Sequence, residues 1–157
     1  MDYSIRQMRP EEYPLLKDFL YEAIFQKKGQ KKLPKSSIHN DALKIYIQDF
    51  GNENDTCLCA EQGGRVIGAA WARVIPGYGS VDNRTPELAV SLYPDCRRKG
   101  IGTELIKRIL ENLKEKGYAA VSLSVQGENP AFELYKRLGF EIRKKKEEEY
   151  IMVYSFH

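Results

Sequence analysis

Residues 87–125 constrain the fold of this chain more than any other stretch. Glu87 to Tyr93 (ELAVSLY) reads as a strand, closed by Pro94. Gly100 to Lys116 then places Ile101, Leu105, Ile109 and Leu113 on one helical stripe, with Ile106 and Leu110 beside it. Gly117 stands just past the end, where a helix favours a left-handed residue. Val121 to Val125 is a further strand. Strand, helix and strand in succession predict a right-handed crossover between two parallel strands.

The flanking segments extend this unit in both directions. Ser4 to Met8 reads as a short strand. Pro10-Glu11-Glu12 suits a helix start, and Leu15, Leu16, Phe19, Leu20, Ala23 and Ile24 carry that helix to about Phe25. Ile38 to Phe50 predicts a second helix through Ala42, Leu43, Ile45, Tyr46 and Ile47, with Asn40 or Ser37 as its cap. Thr56 to Glu61 and Val66 to Ile75 are strands joined by the hairpin Gln62-Gly63-Gly64-Arg65, and a flexible loop follows from Pro76 to Asn83. Pro130 to Leu138 is a helix stopped by Gly139, and two last strands surround the charged run Arg143 to Glu149. No repeat or linker interrupts the order β-α-α-β-β-β-α-β-α-β-β. The expectation is a single α+β domain over residues 1–157, with a mixed twisted sheet of about six to seven strands and four helices.

Composition narrows the function classes. At 42% hydrophobic and 30% charged residues the chain suits an ordinary soluble protein with one substantial core. No apolar run is long enough for a bilayer, and the first residues carry acids and a proline where a signal peptide needs an apolar stretch. No membrane partner is expected, and the cytoplasm is the default location. A net charge of +3 is too weak to argue for a nucleic-acid partner. The cluster KKGQKK at Lys27 to Lys32 reads as an exposed loop, and RKKKEEE as a self-compensating hairpin. Cys57 and Cys59 are expected on opposite faces of a strand and unpaired, like Cys96. With His39 and His157 remote from them, no metal site is expected.

The loop Pro94-Asp95-Cys96-Arg97-Arg98-Lys99-Gly100-Ile101-Gly102 works against the helix it opens. A helix amino terminus carries about half a positive charge and several unpaired N–H groups. Each cation packed there costs about 0.3–1 kcal/mol, and glycine in the first turn weakens the helix by up to about 1 kcal/mol. Both oddities resolve if an anion such as a pyrophosphate sits on the turn. Glycines admit it to the backbone, the N–H groups bind it and the cations neutralise it. The pattern is not a P-loop, because no Gly-Lys-Ser/Thr follows. It also lacks the third glycine of a dinucleotide fingerprint, Leu105 standing in that place.

Arg97-x-x-Gly100-x-Gly102 after a strand ending in Val90-Ser91-Leu92-Tyr93-Pro94 resembles the acetyl-CoA motif of the GNAT superfamily of N-acetyltransferases. Asn129-Pro130-Ala131-Phe132-Glu133-Leu134-Tyr135-Lys136-Arg137-Leu138-Gly139-Phe140 is similar to that family's second motif, and the order of elements matches its fold. The resemblance implies acetyl-CoA as co-substrate and a small-molecule or peptide amine as acceptor. It implies that the backbone of Leu92 and Tyr93 pairs with the pantetheine arm where two strands splay apart, and that an N–H there, that of Leu92, polarises the thioester. It further implies that the backbone of Arg97, Arg98, Lys99, Gly100, Ile101, Gly102 and Thr103 holds the pyrophosphate, that Asn129 bonds the pantetheine and that Tyr135 faces the sulfur. Many relatives form dimers, which leaves a homodimer open.

Acyl transfer to an amine needs a neutral amine, stabilisation of the developing oxyanion and a proton for the departing thiolate. Tyr135 suits the last role: a phenol near pKa 10 and a thiol near 8.5 differ by about 1.5 units, or roughly 2 kcal/mol. Glu87 is the candidate proton acceptor. In histone-type relatives the corresponding glutamate falls one residue earlier, at Pro86 here, and a one-residue slip reverses the face of a strand; water alone is the alternative base. A module that binds acyl-CoA without turnover is the alternative function. Acceptor identity is not legible, with Trp71, Tyr78 and Tyr150 as candidate pocket residues.

Overall fold

The computed structural model describes residues 2–157. Its strands are β1 (Ser4–Gln7), β2 (Thr56–Gln62), β3 (Arg65–Arg73), β4 (Glu87–Leu92), β5 (Ala120–Gln126), β6 (Glu141–Lys146) and β7 (Glu149–Ser155). They form one seven-stranded sheet in the order β1-β2-β3-β4-β5-β7-β6. Neighbours are antiparallel except β4 and β5, which run parallel on either side of helix α3 (Ile101–Glu115), as the crossover predicted. The other α-helices are α1 (Leu16–Ala23), α2 (Asp41–Lys44) and α4 (Ala131–Leu138). Among the described residues no helix is long and apolar enough to cross a membrane.

The sheet separates two apolar layers. On one face α3 buries Ile101, Leu105, Ile106, Ile109 and Leu113 against Leu58, Ala70, Leu88, Leu92 and Leu123. Each such side chain contributes about 1.5–3 kcal/mol, so the packed stripe outweighs the roughly 1 kcal/mol that Gly102 costs in the first turn. On the other face α1 packs Leu16, Phe19 and Leu20 against Ala69 and Trp71. Cys57 and Cys59 both lie in this second layer while Leu58 lies in the first. This corrects the expected opposite placement, because strand residues two apart share a face. All three cysteines are free thiols.

The helices before β2 depart from expectation. Residues Pro10–Leu15 form a 3-10 helix ahead of α1, with Pro14 inside it; proline has no N–H to give the carbonyl four residues back. In place of one helix over 38–50 the chain forms a 3-10 turn (Lys35–His39), then the single turn of α2, whose cap Asn40 accepts Leu43 N–H on its side chain at 2.9 Å. Further winding is pre-empted from β3. The carbonyls of Ile45 and Gln48 accept Arg73 Nη1 at 3.0 and 2.8 Å, and that of Tyr46 accepts the Trp71 indole N–H at 3.0 Å.

Candidate active site

β4 and β5 pair only at Glu87 and Ser122 among the described residues, with Ser122 N–H donating to the Pro86 carbonyl at 3.0 Å. Beyond that point β4 follows β3 as far as Leu92 opposite Gly68, and β5 follows β7 as far as Gln126 opposite Glu149. The two strands therefore part, leaving a gap between them. Tyr93 N–H donates to the Ile67 carbonyl at 3.0 Å. In an antiparallel ladder the groups that face the partner alternate, so Leu92 turns its N–H and carbonyl away from β3 and into the gap. Tyr93, expected to share this role, has its N–H on Ile67 and its carbonyl accepting Cys96 N–H at 2.9 Å. Leu92, like Val90 two residues before it, thus turns its backbone to the opening, and Tyr93 does not.

The turn from β4 to α3 carries the conformational signs of an anion cradle. Arg98 and Gly100 both have left-handed backbones, φ 64° and 83°. A non-glycine residue there stores strain, and such alternation turns successive N–H groups inward. No side chain caps α3 at Gly100, so the first-turn N–H groups of Ile101, Gly102 and Thr103 remain for a ligand. Ile101 sends its side chain into the core. A Cβ on Gly102 would meet only Leu92 Cδ1, at 3.7 Å. That is ordinary contact, so packing of the protein itself does not demand a glycine there.

Arg97 differs from the expected phosphate neutraliser. Its Nε donates to the Leu92 carbonyl at 3.3 Å, and its Nη2 donates to the Glu22 carboxylate at 3.1 Å and the Glu22 carbonyl at 3.3 Å. The side chain therefore ties the end of α1 to the end of β4. Arg98 and Lys99 are the other exposed cations of the turn.

Across the gap, Asn129 Oδ1 accepts Ala131 N–H at 2.9 Å and helps open α4, which leaves its amide NH₂ to donate elsewhere. Tyr135 is buried on the α3 and α4 face beside Phe140, their rings 5.5 Å apart. Burial pushes its phenol above the ordinary value. The hydroxyl stays protonated at neutral pH and is available as a donor. Tyr150 stacks on Phe132 at 4.6 Å in the same layer, away from α1, so it does not line an acceptor pocket there. Trp71 is a core residue, 1% exposed.

Glu87, Ala89 and Ser91 point to the opposite face. Ser91 Oγ donates to the Phe19 carbonyl of α1 at 2.6 Å. Glu87 is buried, its Oε2 accepting the Tyr46 hydroxyl and the Gly79 N–H, the latter at 3.0 Å. Burial pushes its carboxyl up to about 7, against the lowering pull of those two donors. Among the described residues Glu87 Oε1 has no partner, and neither does the buried hydroxyl of Ser122 beside it. The sequence did not mark Tyr46, which stands among apolar residues at helical spacing and reads as core.

Two recesses open on this face. One of about 460 Å³ lies between α1 and the 3-10 turn at 35–39, bordered by Lys17, Asp18, Glu22, Lys35, His39 and Tyr93. A smaller one of about 240 Å³ is lined by Ala42, Pro76, Gly77, Tyr78, Lys146 and Glu149. The larger contains neither Glu87 nor Tyr135, whereas the smaller borders the loop that bonds Glu87.

The pattern describing the Acetyltransferase (GNAT) family matches residues 15–140. Over 101 residues the chain is 34% identical to a mycothiol acetyltransferase of Arthrobacter sp. (strain FB24), covering 64% of this chain and 31% of that protein. The chain thus spans about a third of the length of that curated relative. The PaiA N-acetyltransferase of Thermoplasma acidophilum, solved in complex with coenzyme A, superposes with a TM-score of 0.69 at 21% identity, covering 99% of this chain and 100% of that one. YncA of Salmonella typhimurium, described as a putative acetyltransferase with its cofactor acetyl-CoA, gives 0.70 at 19% identity over 100% of this chain and 95% of that one. Motif, sheet order and sequence match converge: the chain belongs to the acetyltransferase (GNAT) family.

Proposed function

We propose that residues 1–157 form one cytoplasmic acetyltransferase domain that moves an acetyl group from acetyl-CoA to a primary amine of a small molecule or peptide. The observation that carries this reading is the parting of β4 and β5 past Glu87 and Ser122, with Leu92 N–H turned into the gap. A carboxyl near neutrality flanks it from one face of the sheet and a phenol from the other. The coenzyme A and acetyl-CoA complexes of two structural neighbours support the identity of the donor.

The residues present fit such a donor. The uncapped start of α3 and the left-handed Arg98 and Gly100 suit a pyrophosphate, with Arg98 and Lys99 as counter-charges. The free edge of β4 suits an extended amide-bearing arm, which Asn129 NH₂ also meets. Acetyl-CoA supplies an activated thioester there.

Each side chain then has one task. Leu92 N–H donates to the thioester oxygen as it gains charge. The amine nitrogen forms its bond to the acetyl carbon from the α1 face, and Glu87 takes the proton it sheds. As the carbon–sulfur bond breaks, Tyr135 O–H donates to the sulfur on the other face. A base with pKa near the working pH is half ionised there and still strong enough to act. A purely acyl-CoA-sensing module has no use for so costly a group.

An amine-panel assay that follows release of coenzyme A thiol tests the proposal, beside calorimetry with coenzyme A. Binding in the micromolar range and turnover on at least one amine are expected. No affinity for coenzyme A overturns the reading. Affinity without turnover on any amine converts it to the sensing module.

A further inference from the structure

Tyr46 and Glu87 stand 41 residues apart in sequence, and both are buried. The phenol O–H of Tyr46 donates to Glu87 Oε2. Tyr78 N–H donates back to the Tyr46 hydroxyl oxygen at 2.9 Å. A hydroxyl has one proton to give, and here it is given to the carboxyl. The ring is held at its other end as well, because the Tyr46 carbonyl receives the Trp71 indole N–H. Three segments that share no sequence neighbourhood (the α2 turn, the loop at 77–79 and β4) thus meet on one carboxyl oxygen.

The second oxygen is treated differently. Oε1 is buried without a partner. Gly77 lies against it: a Cβ there would fall 2.5 Å from Oε1 and 2.6 Å from the Tyr46 hydroxyl. Gly77 also lines the recess of about 240 Å³ with Tyr78, Lys146 and Glu149. A buried carboxyl oxygen without a partner in the protein is costly, and it marks an atom that a ligand can complete.

We propose that Tyr46 is a positioning residue for Glu87: its hydroxyl locks Oε2 and so leaves Oε1, under Gly77, as the atom that receives the acceptor's proton. This rests on the reading of Glu87 as the proton acceptor. Tyr46 acts through Glu87 and touches no reacting atom. Its phenol stays a donor across the working range, because burial and the Glu87 charge push its own pKa upward.

The groups that face Glu87 are few. Arg73, its register partner on β3, is committed to Asp55 at 3.0 Å, and Ser122 on β5 is uncharged. Glu149 on β7 raises the Glu87 pKa, Lys146 shares the recess, and Tyr46 and Gly79 lower it. Loss of the Tyr46 donor therefore raises the pKa.

The experiment is Tyr46→Phe, read first without any substrate. In the free protein, ¹³C NMR of labelled glutamate carboxyls, with the Glu87 signal assigned by its loss in Glu87→Gln, reports a Glu87 pKa higher by about one unit than in wild type. Under saturating acetyl-CoA the acid limb of kcat/KM moves up equally. The result is roughly a fivefold loss at pH 7 that fades by pH 9.5, with coenzyme A affinity unchanged. A fluorinated tyrosine at position 46 keeps the shape, strengthens the donor and moves both readouts down, which covers the case where the phenylalanine variant does not fold. An unmoved Glu87 pKa in either folded variant overturns this inference alone. Full turnover and an intact acid limb in Glu87→Gln overturn the reading of Glu87 beneath it.

Discussion

Glu87 and Ser122 lie side by side where β4 and β5 last touch, and each carries a buried oxygen without a partner, Oε1 on one and Oγ on the other. Other buried polar strand residues, such as Ser91 and Arg73, have partners in the protein, so two orphaned groups side by side stand out. Burying polar atoms without partners costs stability at that point of the sheet.

That cost sets a pH dependence. Glu87 titrates at about 7 in the folded protein, against an ordinary value of 4.5. For a raised carboxyl the stabilising contribution is complete below the unfolded value and is lost as pH rises through the folded one. Wild-type melting temperature should therefore decline from pH 5 to pH 8, and Glu87→Gln should flatten that decline. Equal slopes in the two proteins, measured by calorimetry across this window, contradict the assignment. Glu12, lowered to about 2 chiefly by its hydrogen bond to Arg6, loses its contribution only as pH falls toward that value, outside the window.

Tyr135→Phe should leave coenzyme A affinity within about twofold and lower kcat by about 10²-fold, the lower end for loss of a positioned proton donor. Calorimetry and steady-state kinetics on the same preparation check both halves. An unchanged kcat removes Tyr135 from the proton path.

Gly102→Val separates folding from donor binding. The added side chain finds open space beyond Leu92 Cδ1 and replaces a poor helix former, so folding free energy should stay within about 1 kcal/mol of wild type. Coenzyme A affinity should fall by about tenfold or more, because the branch stands where the ligand approaches the backbone. Unchanged affinity in a folded variant would move the donor site elsewhere.

Arg73→Met should be among the most damaging changes outside the gap. The guanidinium and the Asp55 carboxylate are 7% and 5% exposed at 3.0 Å, and the same guanidinium satisfies the carbonyls of Ile45 and Gln48. Removing one partner of a buried pair costs about 3–5 kcal/mol, measurable by urea denaturation. A loss below about 1 kcal/mol would show that the 45–49 turn holds without β3.

Local pattern determined a good deal of this protein. The strand, cationic turn and helix from Glu87 to Glu115, and the α4 segment with Asn129 and Tyr135, were legible because spacing and glycine placement over a dozen residues suffice to specify them. Family and sheet class followed from the same short-range signals. The helix expected over 38–50 is reduced to one turn and irregular windings, whose carbonyls at Ile45, Tyr46 and Gln48 are held by Arg73 and Trp71 from β3. The ion pair of the Arg97 guanidinium with Glu22, 75 residues away, had no sign in the sequence. Tyr46 had no mark at all until the turn after α2 met Glu87. These relations join residues that periodicity cannot connect: burial and hydrogen bonding between distant segments depend on which strands become neighbours, and only the assembled sheet decides that.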